Sequence, residues 1–345
     1  MSARGARLVR RARVDLQDYP VDAAWAPDAS RLLVGLGEGG LALIDFRTPQ
    51  PTITEIGRHA GGALAVSWQV AGSLFASSGQ DGRVLLWDSR SLEFTELLAR
   101  SAWSEHLAFA RNGKWLAVAA ERELRLFDAD GAQCASFADH PGTINAIAWR
   151  PKPVQVAALS QGGARVHGLE PSPQTIELDW SSACLTASWS PDGRMLATGL
   201  RENAVHYWNL PAATQSEMKG YAGKVTLTGY SGNSRQLATA AGDLIVIWNV
   251  GADGPEGSVP LQLKEHSERI TQLAYQPDGA LLASGARDRR VLLWQPAQGT
   301  EPLDADLLGD EVALLRWSRD GQQLLAADRA GVLGVYTLSA STAVR

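Results

Sequence analysis

Short apolar runs alternate with turn residues along most of the chain. Residues 264–297 contain three such runs, ITQLAY, ALLASG and VLLW. Each run is too short for a stable helix and rich in β-forming residues, so the pattern predicts three strands. Pro277-Asp278-Gly279 lies between the first two runs and has the composition of a hairpin turn. The charged segment Arg287–Arg290 precedes the third run and is expected at a sheet edge.

The same pattern recurs at intervals of 40 to 45 residues, and one three-stranded unit could not bury its own faces. An aromatic residue ends the first run of each unit: Trp25, Trp68, Phe109, Trp149, Trp189, Tyr230, Tyr275 and Trp317. A second column follows 18 or 19 residues later: Ile44, Trp87, Phe127, His167, Trp208, Trp248, Trp294 and Tyr336. Two columns in register indicate an eightfold internal repeat.

Units that pack only on their neighbours form one continuous body, so we expect one all-β domain over residues 1–345. Its eight blades are expected at about 20–57, 58–100, 101–138, 139–178, 179–219, 220–263, 264–305 and 306–340. The run 6–16 has the pattern of a strand without a unit, and the last unit ends one strand short. We therefore expect the N-terminal strand to complete the last blade, which removes both exposed sheet edges.

Composition narrows the classes of function. The chain has a net charge of -5 and a pI near 5.7, which argue against broad electrostatic binding to nucleic acid or anionic lipid. No apolar run has the length of a membrane span, and no apolar h-region follows the basic N-terminus. Cys134 and Cys184 are too few for a disulfide framework, so a reducing, cytoplasmic location is expected. Abundant arginine and alanine favour a bacterial source.

The sequence predicts no metal site and no cofactor. The two cysteines cannot form a thiolate cage, and no two histidines have the spacing of zinc ligands. The six histidines are instead spread over the repeats: His59, His106, His140, His167, His206 and His266. Their periodic positions predict places in strands or loops.

The two columns resemble the WD40 repeat family over nearly the whole chain. Trp87-Asp88 is the one literal Trp-Asp pair, and Trp208-Asn209 is a near form. The early histidine position of the family is occupied by His59, His140 and His266. The resemblance implies that each unit is a four-stranded blade and that the chain is a single eight-bladed β-propeller. Seven blades are the alternative, because seven is commoner in this family and blades one and four match least.

Serine, histidine and aspartate are the residue types of a nucleophilic triad, and they occur together twice in the repeats. The resemblance implies a different role, because the family uses this set with a tryptophan as a structural hydrogen-bond network inside a blade. The expected network residues are His59, Ser77, Asp81, Trp87, His266, Ser284, Asp288 and Trp294. Thr239, Asp243 and Trp248 preserve part of the set in blade six. No catalytic residue is predicted.

Loops before the first strand and between the second and third strands form the top face of such a propeller. Exposed Trp, Tyr and Arg anchor protein interfaces. The candidate partner-binding residues are therefore Tyr19, Arg58, Trp103, Arg122, Trp180, Arg201, Tyr221, Lys224, Arg269 and Arg287. The alternative for Trp103 and Trp180 is that they fold back over blade edges. The arginines also fit an acidic peptide, because guanidinium pairs with carboxylate in a bidentate way.

The resemblance implies a non-catalytic scaffold or adaptor, monomeric by itself, that binds protein or peptide partners through its top face and rim. The alternative is a propeller enzyme or small-ligand binder that uses the central channel. Eight-bladed propellers also include quinone-cofactor dehydrogenases, but these resemble the chain only in architecture, and architecture does not fix function.

Overall fold

A computed structural model of the protein describes residues 5–99, 102–169, 174–255 and 257–340. The described residues form β-strands joined by turns, and their one helical element is the 3-10 turn Pro296–Gln298. None of their helical segments has the length and apolar character needed to cross a membrane. The strands divide into eight antiparallel sheets.

The chain forms two compact units, which are described separately. Residues Pro20–Trp189 make up one unit, and the residues up to Tyr19 together with those from Ser190 onward make up the other.

The unit Pro20–Trp189 contains the first four blades in chain order. The first strand of the chain, β1 (Ala6–Asp15), belongs to the other unit. Blades one and two consist of β2 (Pro20–Trp25), β3 (Arg31–Leu36), β4 (Gly40–Asp45), β5 (Thr52–Arg58), β6 (Ala63–Trp68), β7 (Leu74–Gly79), β8 (Val84–Asp88) and β9 (Phe94–Leu98). Blades three and four consist of β10 (His106–Phe109), β11 (Trp115–Ala120), β12 (Glu123–Asp128), β13 (Gln133–Phe137), β14 (Ala146–Arg150), β15 (Gln155–Gly168) and β16 (Thr175–Ala183).

The remaining strands form blades five to eight. Blades five and six are β17 (Ser188–Trp189), β18 (Met195–Gly199), β19 (Val205–Asn209), β20 (Thr214–Met218), β21 (Leu227–Tyr230), β22 (Gln236–Ala241), β23 (Leu244–Asn249) and β24 (Leu261–Leu263). Blade seven is β25 (Ile270–Tyr275), β26 (Leu282–Ala286), β27 (Arg290–Trp294) and β28 (Asp304–Leu307). Blade eight is β29 (Val312–Trp317), β30 (Gln323–Asp328), β31 (Val332–Ala340) and β1, in the order β1-β31-β30-β29.

Burial follows the position of a strand within its blade. The second and third strands are apolar on both faces, as in β8, where Val84, Leu85, Leu86 and Trp87 are all buried. The fourth strand is much more exposed, as in β9, where Phe94, Thr95 and Glu96 are exposed. Strands buried on both faces have nearly continuous apolar runs. This explains why the inner strands stand out in the sequence and the fourth strands vary.

The hydrophobic core lies between consecutive blades. Leu33 and Leu41 of blade one pack in one cluster with Phe75 and Trp87 of blade two. Similar shared clusters join blades two and three, three and four, five and six, six and seven, and seven and eight. Each blade therefore depends on its neighbour to keep water away from its faces.

The first aromatic column connects blades through polar contacts as well. The indole Nε1 of Trp149 donates to the carbonyl oxygen of Ala108 at 2.8 Å, and Trp189 donates to Ala148 at 3.1 Å. Each acceptor directly precedes the column residue of the blade before. The same bond recurs in the other unit, where Trp317 donates to Ala274 at 3.1 Å.

Blade eight combines the two ends of the described chain. β1 pairs antiparallel with β31, so that Leu8 lies opposite Leu338 and Arg10 lies opposite Tyr336. A register shift between Arg10 and Ala12 marks a bulge. The prediction of an all-β, eight-bladed β-propeller fold completed by the N-terminal strand is confirmed, and the alternative of seven blades is wrong.

Blade four departs from the four-stranded pattern. Its long strand β15 pairs with two neighbours. Residues 155–159 pair with β14, and residues 161–167 pair with β16. The two parts meet at Gly162 and Gly163, whose φ angles are 97° and 116°. Glycine adopts such angles without steric cost, so the chain bends there while β15 remains one element.

Because neighbouring blades approach closely at Gly199 but not at Gly223, substitution of these two glycines by alanine should affect stability very differently. A Cβ at Gly199 would lie 2.0 Å from the carbonyl oxygen of Val225, whereas a Cβ at Gly223 would meet no atom within 4 Å. We expect Gly199→Ala to lower the free energy of unfolding by about 3 kcal/mol, because the backbone of blade six must move. Gly223→Ala should change it by less than about 1 kcal/mol. Denaturant titration of both variants checks this, and equal midpoints would contradict it.

Candidate functional site: closed polar networks and an open loop pocket

The structure brings His59, Ser77, Asp81 and Trp87 of blade two together. His59 Nδ1 lies 3.0 Å from Asp81 Oδ1, and His59 Nε2 lies 2.9 Å from Ser77 Oγ. Trp87 Nε1 donates to the same Ser77 Oγ at 3.0 Å. Because a carboxylate only accepts, His59 Nδ1 carries the hydrogen and His59 Nε2 accepts from the serine hydroxyl.

Blade seven repeats this arrangement closely. His266 Nδ1 lies 3.0 Å from Asp288 Oδ2, and His266 Nε2 lies 2.7 Å from Ser284 Oγ. Trp294 Nε1 donates to Ser284 Oγ at 2.8 Å. The backbone amide of Ser267 also donates to Asp288 at 3.0 Å, which fixes the loop before β25.

The serine, histidine and aspartate of each blade are hydrogen-bonded in the same sequence as in a nucleophilic triad, but their serine hydroxyls are not accessible. Ser77 and Ser284 are 0% exposed, and an indole occupies an acceptor position of each hydroxyl oxygen. A nucleophilic serine must reach the reacting atom of a substrate. Because each hydroxyl is fully buried and its oxygen is bonded to an indole N–H, neither serine can reach a substrate in this arrangement.

Burial determines the protonation state of the two histidines. It lowers the pKa of His59 and the pKa of His266, and it outweighs the opposite effect of the neighbouring aspartate. Burial alone would raise the pKa of Asp81, but bonds from the amides of Arg83 and Ala60 and from His59 lower it below its ordinary value. Each pair is therefore a neutral histidine bonded to a carboxylate.

Blade six contains a variant of the network that corrects two expectations. Tyr221 Oη lies 2.7 Å from Thr239 Oγ1 and accepts from Trp248 Nε1 at 2.8 Å. Tyr221 is therefore part of the interior of the blade rather than an exposed partner-binding residue. Asp243 is exposed and takes no part in these bonds, because the phenol, unlike an imidazole, has no second polar atom that could donate to a carboxylate.

Blade four replaces the network with a pair of buried histidines. His140 Nδ1 lies 3.0 Å from the carbonyl oxygen of Arg122, so it must be the donor, and His140 Nε2 is left as an acceptor. His167 Nε2, 3.1 Å away, therefore donates to His140, and His167 Nδ1 accepts from the Thr175 hydroxyl at 3.0 Å. The geometry thus fixes both tautomers: a proton added to His140 Nε2 would place two N–H groups against each other, and one added to His167 Nδ1 would require the Thr175 hydroxyl to turn from donor to acceptor.

The predicted contact tryptophans have different environments. Trp180 was expected in a loop, but it lies within β16 and is half-buried, which corrects that expectation. β16 extends as far as Ala183, so the loop begins later than the repeat spacing indicated. Trp103 is 51% exposed and precedes β10.

Three of the predicted arginines already make contacts within the protein. Arg58 donates to the carbonyl oxygen of Glu38 at 2.8 Å, and Arg122 Nε donates to that of His140 at 2.6 Å. Arg287 Nε lies 3.2 Å from Glu311 Oε2. The other predicted contact residues are exposed: Tyr19, Arg201, Lys224 and Arg269.

An open pocket of about 470 Å³ lies beside Trp103 in the unit Pro20–Trp189. Its described lining is Ala102, Trp103, Glu105, Ala119, Glu121, Thr143 and Ile144. Sequence reasoning found Trp103 but missed both glutamates. Their positions could have indicated them. Glu105 precedes the first strand of blade three, and Glu121 lies between its second and third strands, and these are the two kinds of loop from which the other candidate residues come. Among the described residues, no three His, Cys, Asp or Glu side chains are grouped as a metal site.

The buried networks predict a graded loss of stability. We expect His266→Ala and His59→Ala each to lower the free energy of unfolding by about 1 to 3 kcal/mol per polar partner left unpaired. The loss should be larger in blade seven, because the Asp288 side chain is 5% exposed and that of Asp81 is 12% exposed. Thermal melting measures both, with the exposed Glu93→Ala as the control. An unchanged melting midpoint for His266→Ala would contradict this prediction.

The histidine pair predicts a loss of stability in acid. Burial, together with the nearby His140 and Arg165, lowers the pKa of His167 from 6.5 to about 4, while Asp139 acts in the opposite direction. As pH falls below 6.5 the unfolded chain takes up this proton first, so stability falls until about pH 4 and then levels. The contribution is about 3 kcal/mol.

His167→Phe isolates that contribution, because Phe127 fills the corresponding position of blade three and the other histidines remain. Denaturant titrations at several pH values between 7.5 and 4 should show a shallower fall for the variant. Parallel curves for the two proteins would exclude His167 as a source of the acid sensitivity.

Comparison with known proteins identifies the type of repeat. The model of the WD40 family, described as "WD domain, G-beta repeat", matches residues 50–88, 175–209 and 257–295. Each matched segment spans the last strand of one blade and the first three strands of the next. Two of the segments contain the networks of His59 and His266.

Relatives extend the similarity over more of the chain. Human coronin-7 is 29% identical over 206 residues, which are 54% of this chain and 22% of coronin-7. Cell division cycle 20.5, cofactor of APC complex, from Arabidopsis thaliana is 22% identical over 283 residues, covering 74% of this chain and 61% of that protein. WD repeat-containing protein slp1 of Schizosaccharomyces pombe is 21% identical over 296 residues, covering 84% and 52%. The chain thus spans less than two thirds of each relative, and the matches support WD40-type repeats in this chain.

Proposed function

We propose that the protein is a non-catalytic scaffold or adaptor that binds protein partners through the loops at the ends of its blades and through its rim. The observation that carries this proposal is the contrast between buried and exposed groups. The serine–histidine–aspartate sets are closed inside blades two and seven, whereas Trp103 is 51% exposed beside an open pocket. A large exposed aromatic side chain next to a concavity is typical of a protein contact site.

The similarity to WD40 proteins supports the same proposal. One relative, from Arabidopsis thaliana, is named as a cofactor of the APC complex. We propose a comparable role in binding for this chain and no catalytic activity of its own. WD40 propellers are generally non-enzymatic, and their rigid blades present loops at fixed positions.

We also propose that one partner segment is acidic. Arg201, Lys224 and Arg269 are exposed in loops of the unit that contains Ser190 and the residues after it. Among the described residues, no salt bridge is found for any of the three. Free guanidinium and ammonium groups favour carboxylate-bearing segments, through bidentate bonds in the case of arginine.

The setting that we propose is the cytoplasm of a bacterium, with the chain monomeric by itself, folded as one domain over residues 1–345, and bound neither to nucleic acid nor to a membrane. Neither Cys134 nor Cys184 is part of a disulfide in the described residues, which suits a reducing compartment. The net charge of -5 does not favour polyanion binding. Arginine-rich and alanine-rich composition supports the bacterial source.

Affinity capture from cells of the source organism tests the proposal. We expect the wild-type protein and the exposed-loop control Val259→Ser to retain a stoichiometric protein partner. Trp103→Ala, or Arg201→Glu combined with Lys224→Glu, should reduce the captured amount by on the order of tenfold, because contact residues of these types carry much of the binding energy. Equal capture by all variants, or purified protein that carries a stoichiometric small molecule instead of a protein, would contradict the proposal.

A further inference from the structure

The pocket beside Trp103 is built from three segments of the chain. Ala102, Trp103 and Glu105 precede β10, Glu121 lies in the turn between β11 and β12, and Thr143 and Ile144 precede β14. The pocket therefore lies where blades three and four present their loops. Its volume of about 470 Å³ is in the range of ligand-binding pockets.

Hydrogen bonds to the backbone hold these segments in place. The amide of Ile144 donates to the carbonyl oxygen of Glu121 at 2.6 Å, which ties the turn to the segment before β14. Ser78 Oγ donates to the carbonyl oxygen of Ser104 at 2.7 Å, which anchors the segment that contains Trp103. A pocket that is already formed requires little reorganisation on binding, so more of the contact energy appears as affinity.

The lining combines negative charge with an aromatic surface. Glu105 and Glu121 are exposed, and among the described residues neither carboxylate has a salt-bridge partner. Arg122, the cation next to Glu121 in sequence, donates to the carbonyl oxygen of His140 and does not line the pocket. The described lining therefore contains two carboxylates, a half-exposed indole and no cation.

Among cationic side chains, this combination favours a guanidinium group. A guanidinium group can stack on the indole face, where the ring quadrupole attracts a cation. The same planar group can donate two hydrogen bonds to a carboxylate. The apolar surface of Ala119 and Ile144 suits the methylene stem that leads to the guanidinium. An acidic side chain would instead face two like charges.

From this geometry we infer that the pocket receives an arginine side chain of a partner protein. The inference rests on the proposed function, since it identifies what one part of the partner must contain. It also implies that the partner carries both acidic and basic groups in its contact surface. An acidic segment fits the loops of Arg201, Lys224 and Arg269, and a basic side chain fits the pocket of Trp103.

A peptide titration tests this independently of any natural partner. The probes are an acetylated and amidated Gly-Arg-Gly peptide and the same peptide with citrulline, which has nearly the same shape without the charge. We expect the arginine peptide to bind on the order of tenfold more tightly, as measured by calorimetry at low salt, because only it forms the charge-assisted contacts. Its affinity should also fall as the salt concentration rises.

Variants locate the binding in the pocket. Glu105→Gln combined with Glu121→Gln keeps the shape of both side chains and should strongly reduce the preference for arginine, leaving the part due to the indole. Trp103→Ala should weaken binding of the arginine peptide on the order of tenfold, while Trp103→Phe retains an aromatic face and restores most of it. Glu93→Gln, an exposed change in the loop before β9, is the matched control and should bind as the wild type does. Thermal melting verifies that each variant is folded.

The outcomes separate this inference from the proposed function. A preference for arginine that falls strongly in the double glutamine variant supports the inference. Equal binding of the two peptides, no binding of either, or an undiminished preference in the double variant overturns it. Capture of a protein partner that is lost with Arg201→Glu and Lys224→Glu but unaffected by the double glutamine variant leaves the scaffold function standing and overturns the arginine pocket.

Discussion

Each inner strand is apolar on both faces, and a single sheet cannot cover both of its own faces. The structure meets this constraint by sharing each core cluster between two consecutive blades, as Leu41 and Trp87 do for blades one and two. Indole-to-carbonyl bonds such as that from Trp149 to Ala108 add directional contacts to this burial. Repetition of the sequence is thus a requirement of packing, because every blade must offer its neighbour an equivalent surface.

The same packing determines where chemistry can occur. Polar groups inside the blades are bonded to one another, so serine, histidine and aspartate of blade seven act on each other and on Trp294. The histidine pair of blade four meets the same requirement with different residues, because two rings in fixed tautomers satisfy the donors and acceptors present. Groups able to engage another molecule are left at the ends of the strands, in loops such as that of Trp103.

Most of the fold could be predicted from the sequence, because the repeat places apolar runs and aromatic residues at constant intervals. Trp317 of the first column ends a first strand as the pattern indicates. Tyr221 was misplaced although a signal existed, since it precedes Thr239 by 18 residues, the same interval that separates His59 from Ser77. The pocket could not be predicted, because Glu121 and its neighbours belong to three loops whose approach depends on packing between blades.

The pairing of β1 with β31 has a consequence for biosynthesis. The ribosome makes β31 some 300 residues after β1, so the eighth blade cannot form until those residues have emerged. During that delay β1 lacks its hydrogen-bonding partner, and a bare strand of this kind readily pairs with other chains. Arg7, Arg10, Arg11 and Arg13 give it a dense positive charge. Mutual repulsion between such strands on neighbouring nascent chains would keep them apart until the native partner is available.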